Sequence, residues 1–60
     1  MVEELRTLSE VMAMTGMRRT WIYHQINAGS FPAPIKSGRS SLWVLSEIDG
    51  WVRVQVQQYR

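Results

Sequence analysis

Sixty residues make one small domain, expected to span 1–60, and folding at this size buries only about 60% of the surface of the extended chain. Hydrophobic residues are 45% of the chain and include Trp21, Trp43 and Trp51, which argues against disorder, while the absence of cysteine excludes disulfides and thiolate metal sites. The net charge of +2 is uneven: residues 1–10 carry −2, residues 11–46 carry +4 with no acid, and residues 47–60 are neutral.

Thr7-Leu8-Ser9-Glu10 opens the first element as a capping box, in which the Thr7 hydroxyl accepts an early helix N–H and Glu10 reaches back. Leu8, Val11 and Met12 follow at helical spacing, and Gly16 suits the left-handed residue that ends such a helix. Leu5 is expected to pack just ahead of it, and Met12, Met14 and Met17 to fill gaps in the core.

The second element is predicted as a helix from about Arg18 to Ala28, stopped by Gly29. At 100° per residue, Ile22 and Ile26 share the inner face. Thr20, His24 and Asn27 fall on the opposite face, with Trp21 and Tyr23 on its flanks. Two short helices around Gly16 form a helix-turn-helix pattern.

Phe31-Pro32-Ala33-Pro34 cannot be helix interior, because each proline lacks a donor and drives its predecessor toward extended geometry. Ile35-Lys36 and Leu42-Trp43-Val44 then flank Ser37-Gly38-Arg39-Ser40-Ser41, which predicts a β-hairpin placed as a wing. Ser46 is the expected N-cap of a last helix, with Glu47 and Asp49 near its positive end. Val52 to Val56 alternate as a strand would, but Ile48, Trp51, Val52, Val56 and Tyr59 keep helical spacing, and helix is the preferred reading. The expected fold is therefore mainly α with a small β-hairpin: three helices plus a wing, a winged helix-turn-helix. Phe31, Trp43, Trp51, Leu8, Val11, Ile22, Ile26 and Ile48 are the expected core.

Catalysis is poorly provisioned. The chain has one histidine and one aspartate, Glu47 and Asp49 face different ways on a helix, and no phosphate loop, metal-spaced histidine cluster or nucleophile elbow is present. No enzyme, no catalytic residue, no metal and no cofactor are expected. Apolar runs stop at about four residues, as in Leu42 to Leu45, against the roughly 20 that span a bilayer. The segment Met1 to Arg6 also lacks the order of a secretory signal. A cytoplasmic protein without membrane contact is the expectation.

The order helix, Gly turn, helix, FPxP connector, Gly-Arg hairpin and S-E-I-D-x-W helix resembles the AlpA family of small phage and prophage regulators, within the MerR-like and excisionase-like winged helix-turn-helix proteins. The matching pieces are Leu8-Ser9-Glu10-Val11, Thr15-Gly16-Met17, Trp21-Ile22-Tyr23, Gly29 to Ile35, Gly38-Arg39, Trp43 and Ser46 to Trp51, which cover nearly the whole chain. The resemblance implies a DNA-binding transcriptional regulator, or an excisionase that directs an integrase, with the second helix in the major groove and the hairpin on the backbone or minor groove. It also implies double-stranded DNA as partner, without a cofactor, and an integrase or RNA polymerase contact through the last helix. Arg18 stands where the family usually has a serine cap, Trp21 where a small threonine is common, and His24 where a basic residue is usual.

The residues themselves support the same site. Arg18 and Arg19 sit at a helix start, where cations oppose the helix dipole, so phosphates or guanine edges supply a reason for them. Thr20, His24 and Asn27 form an outward arc able to reach base edges, and the Tyr23 hydroxyl can meet a phosphate. Lys36 and Arg39 bracket the hairpin turn, with Arg39 placed for a phosphate or a narrow minor groove. The expected DNA-binding set is thus Arg18, Arg19, Thr20, Tyr23, His24, Asn27, Lys36 and Arg39. So few contacts bind weakly from one copy, which predicts a weak dimer or a cooperative array on DNA. The competing reading is a protein-interaction module that inhibits another regulator. An RNA binder is disfavoured because no exposed aromatic platform is evident on a sheet.

Overall fold

The computed structural model describes residues 3–60. Met1 and Val2, the first positions of the expected 1–60 domain, lie outside the described residues. In chain order the elements are β1 (Leu5–Thr7), α1 (Leu8–Thr15), α2 (Arg19–Asn27), β2 (Ile35–Ser37), β3 (Ser40–Val44) and α3 (Leu45–Gln58). Three helices and a small antiparallel sheet bear out the mainly α, winged helix-turn-helix arrangement, with one strand more than expected.

α1 forms where the capping box places it. The Thr7 hydroxyl accepts from the Glu10 N–H at 3.3 Å, and the Glu10 carboxylate accepts from the Thr7 N–H at 2.9 Å. Gly16 ends the helix at φ 73°, a left-handed conformation that costs glycine little, and its N–H donates to the Met12 carbonyl at 2.8 Å. The Thr15 hydroxyl fixes the same turn by accepting from the Met17 N–H at 3.2 Å. Only Gly16 to Arg18 separate the two helices, which is the short connection that a helix-turn-helix requires. α2 closes in a Schellman motif, with Ser30 N–H donating to the Gln25 carbonyl and Gly29 N–H to the Ile26 carbonyl.

The sheet order is β1-β3-β2, so β3 is central. Gly38 and Arg39 alone join β2 to β3, with Ser37 opposite Ser40. Gly38 has φ 60° while Arg39 does not share the positive φ, the pattern of a two-residue turn with glycine first. β1 was not expected. Leu5, read as packing ahead of α1, instead pairs with Val44, and Arg6 and Thr7 pair with Trp43 and Leu42. A three-residue strand carries little pattern of its own, and its partner lies far along the chain.

The core consists of Val11, Ile22, Phe31, Trp43 and Ile48, all buried. Leu8, Ile26 and Trp51, also expected there, pack against it while partly exposed. Trp43 is at its centre: its ring meets Tyr23 edge-on at 6.3 Å, and its indole N–H donates to the Pro32 carbonyl at 3.0 Å, which ties the wing to the proline connector. The Trp51 indole N–H similarly holds the Ser30 carbonyl at 2.9 Å. Met12 packs on the core as expected, but Met14 and Met17 are 39% and 37% exposed and do not fill gaps.

α3 is helical to Gln58, so helical spacing prevails over the Val52–Val56 alternation. Its start differs from expectation. β3 runs straight into α3, the N-cap is Val44 without a side-chain bond, and Ser46 lies inside the first turn. The Glu4 carbonyl accepts the Leu45 N–H at 2.8 Å, and the Ser46 hydroxyl donates to Glu3 at 3.1 Å instead of capping. Among the described residues, no helix is long and apolar enough to cross a membrane.

Candidate nucleic-acid interface

α2 presents its residues as the periodicity predicts. Ile22 is buried, Ile26 partly so, and Thr20, His24 and Asn27 are exposed on the outward side. Trp21 and Tyr23 occupy opposite flanks. Trp21 turns toward α3, meeting Trp51 edge-on at 5.9 Å and Phe31 at 6.3 Å. Trp21 therefore belongs to the packing, and the outward arc of α2 is formed by smaller polar side chains.

The Tyr23 flank faces the wing. There a polar groove of about 380 Å³ is lined by Arg19 and Tyr23 from α2, Lys36 from β2, Arg39 from the turn, and Thr7 and Ser9 from the start of α1, with Ser40 and Ser41 along the hairpin. Arg19 lies over the Tyr23 ring, its guanidinium carbon 5.9 Å from the ring centre, which limits where the cation can swing. Lys36 donates to the Ser41 hydroxyl at 2.8 Å, which holds its ammonium along the hairpin while leaving it charged. Arg18 is the exposed N-cap of α2 and makes no side-chain cap bond. The fold thus brings Arg19, Tyr23, Lys36 and Arg39 together, and sets Thr20, His24 and Asn27 along the neighbouring exposed side of α2, with Arg18 exposed at its N-cap.

Electrostatics sharpen the pattern. Arg6 pairs with Glu4 at 3.1 Å and lies 3.9 Å from Glu10, while Arg53 pairs with Asp49 at 3.1 Å. Among the described residues, Arg18, Arg19, Lys36 and Arg39 have no carboxylate partner. The carboxylates that form ion pairs do so with Arg6 and Arg53, away from these four bases, and the field on the α2–wing side stays positive.

Thr7, Ser9, Ser40 and Ser41 also line the groove, although residue type alone does not single them out. For Ser40 and Ser41 the available signal was their place beside Arg39 in a hairpin; for Thr7 and Ser9 there was none, since only the folded chain sets α1 against the wing. Among the described residues, no three His, Cys, Asp or Glu side chains are grouped to hold a metal ion.

No solved structure matches this chain. An uncharacterised protein, ORF88, of Enterobacteria phage P4 is 33% identical over 51 residues, which cover 83% of this chain and 58% of that relative. The chain spans little more than half the length of that relative. The family model described as prophage CP4-57 regulatory protein (AlpA) matches residues 5–56, which takes in the first strand, all three helices except the end of α3, and the wing. The chain belongs to the AlpA family of prophage regulatory proteins.

Proposed function

We propose that the protein binds double-stranded DNA as a phage-type regulator, with α2 in the major groove and the wing on the flanking backbone. The observation that carries this reading is that Arg19 from α2 and Lys36 and Arg39 from the hairpin, none with a carboxylate partner among the described residues, line one polar groove. α2 is about 14 Å long at 1.5 Å per residue, a length that one major-groove passage accommodates. In this reading Arg19, Lys36, Arg39 and the Tyr23 hydroxyl hold phosphates, which positions α2 and confers salt dependence. Arg18, Thr20, His24 and Asn27 face base edges and supply the sequence preference. The mechanism is binding without chemistry or cofactor.

Each copy offers few contacts, so useful occupancy requires tandem or paired sites. The same binding mode serves transcription control and the directing of an integrase during excision, and α3, away from the DNA, is the surface left for an integrase or RNA polymerase. Excision of a marked element in cells, with and without the protein, distinguishes these roles.

The test is a titration of a labelled duplex by fluorescence anisotropy at several salt concentrations, with single-stranded RNA as competitor. Arg19→Ala and Arg39→Ala are each expected to reduce the slope of log affinity against log salt by about 1. An unchanged slope in both variants refutes the phosphate assignment. A complex with another regulator that forms equally at high and low salt, with no duplex binding, favours the interaction-module reading.

A further inference from the structure

Two apolar surfaces lie apart from the polar groove. One is a hollow of about 440 Å³ between the α1–α2 turn and the last turns of α3, lined by Met14, Met17, Trp21, Val52, Val56 and Tyr59. Val56 is 43% exposed and Tyr59 88%. The other is the outer face of the sheet. Trp43 is buried on the inner face, so strand alternation turns Leu42 and Val44 outward. The register then places Leu5 beside Val44 and Ile35 beside Leu42, and Leu5 and Ile35 are 43% and 50% exposed.

The rims of these surfaces carry opposite charge. Arg60 lines the hollow and has no carboxylate partner among the described residues. Beside Leu5, Glu3 and Glu4 line a cleft with Asp49. Arg6 takes Glu4 and Arg53 takes Asp49, while Glu3 has no basic partner among the described residues.

We propose that the hollow receives a second copy of this chain, which seats the outer face of its sheet there with the β1 side leading. This sets Glu3 of one copy toward Arg60 of the other. Hollow against hollow would instead oppose arginines, and sheet against sheet would oppose glutamates. The two faces share no residue, so the contact is heterologous: each pair retains one open face of each kind, and copies add head to tail without closing at two. Both surfaces are small, so the contact is weak in free solution and tells when copies are held close together.

Sedimentation equilibrium without DNA tests this independently of any nucleic-acid binding. The weight-average mass of the unaltered protein is expected to rise above 7.0 kDa with concentration into the millimolar range, with no plateau at two copies. Leu5→Lys removes the sheet face and Val56→Lys the hollow, and each variant is expected to stay monomeric. Their equimolar mixture is expected to form a dimer and stop there, since each supplies the face the other lacks. Thermal unfolding verifies that both fold; Ile35→Lys and Tyr59→Lys replace any variant that does not. An unaltered protein that stays monomeric throughout, a plateau at two copies, or a mixture as monomeric as its components overturns the proposal.

Discussion

Two arginines show how a neighbour decides what a basic side chain is available for. Arg6 is engaged by Glu4 and Glu10, whereas Arg19 has only the Tyr23 ring beneath it. Exposed ion pairs contribute about 0–1 kcal/mol, so the Arg6 pairs matter less for stability than for keeping positive field away from the start of α1. Glu10 has a second task there. The Thr7 backbone N–H first, and then the Thr7 hydroxyl and the Arg6 charge, hold its carboxyl below the usual carboxylate range. A carboxyl lowered on folding stabilises the protein above its unfolded pKa and loses that contribution as pH falls through the folded value. Melting temperature is therefore expected to fall below about pH 4 in the parent protein. Glu10→Gln is expected to melt lower near neutral pH and to show a shallower acid limb. An acid limb of unchanged steepness in the variant contradicts the capping role assigned to Glu10.

At the scale of elements, the sequence discloses what is settled by neighbours in the chain. Thr7 with Glu10, Gly16, and Gly38 between two short β patterns each act within a few residues, and α1, the turn and the wing stand where they were expected. The inner and outer faces of α2 were legible for the same reason, and Thr20, His24 and Asn27 are exposed opposite the buried Ile22 as that reading required. β1 and the start of α3 were not legible, because both depend on a partner about forty residues away: Leu5 pairs with Val44, and the Glu4 carbonyl takes the Leu45 N–H, so the helix begins ahead of the Ser46 cap that was expected. The groove itself was hidden likewise, since Thr7 and Ser9 reach Arg39 only through the sheet. Trp43 links these elements, joining the sheet to α2 through Tyr23 and to the connector through Pro32. Truncating a buried tryptophan costs about 3–5 kcal/mol. A domain of this size holds about 3–9 kcal/mol in all. Trp43→Ala is therefore expected to abolish most of the cooperative thermal transition seen by circular dichroism. A melting curve close to the parent's contradicts the central place given to Trp43.

For the molecule as a whole, small size and divided charge have one consequence. A chain that buries only about 60% of its unfolded surface has little to spare beyond one core and one reading surface. Glu4, Glu10 and Asp49 pair with Arg6 and Arg53, four of the five bases without a carboxylate partner among the described residues lie on α2, its N-cap and the wing, and the open apolar surfaces lie elsewhere. The α2–wing side is the proposed DNA-binding face. The most direct measurement is a map of backbone amide shifts during titration with a duplex of about 10 base pairs, one helical turn, which is room for one copy. Shifts are expected to concentrate in Arg18 to Asn27 and Lys36 to Ser41, with Val52 to Tyr59 nearly unmoved. Shifts confined to Val52 to Tyr59, or none at low salt, would contradict that assignment.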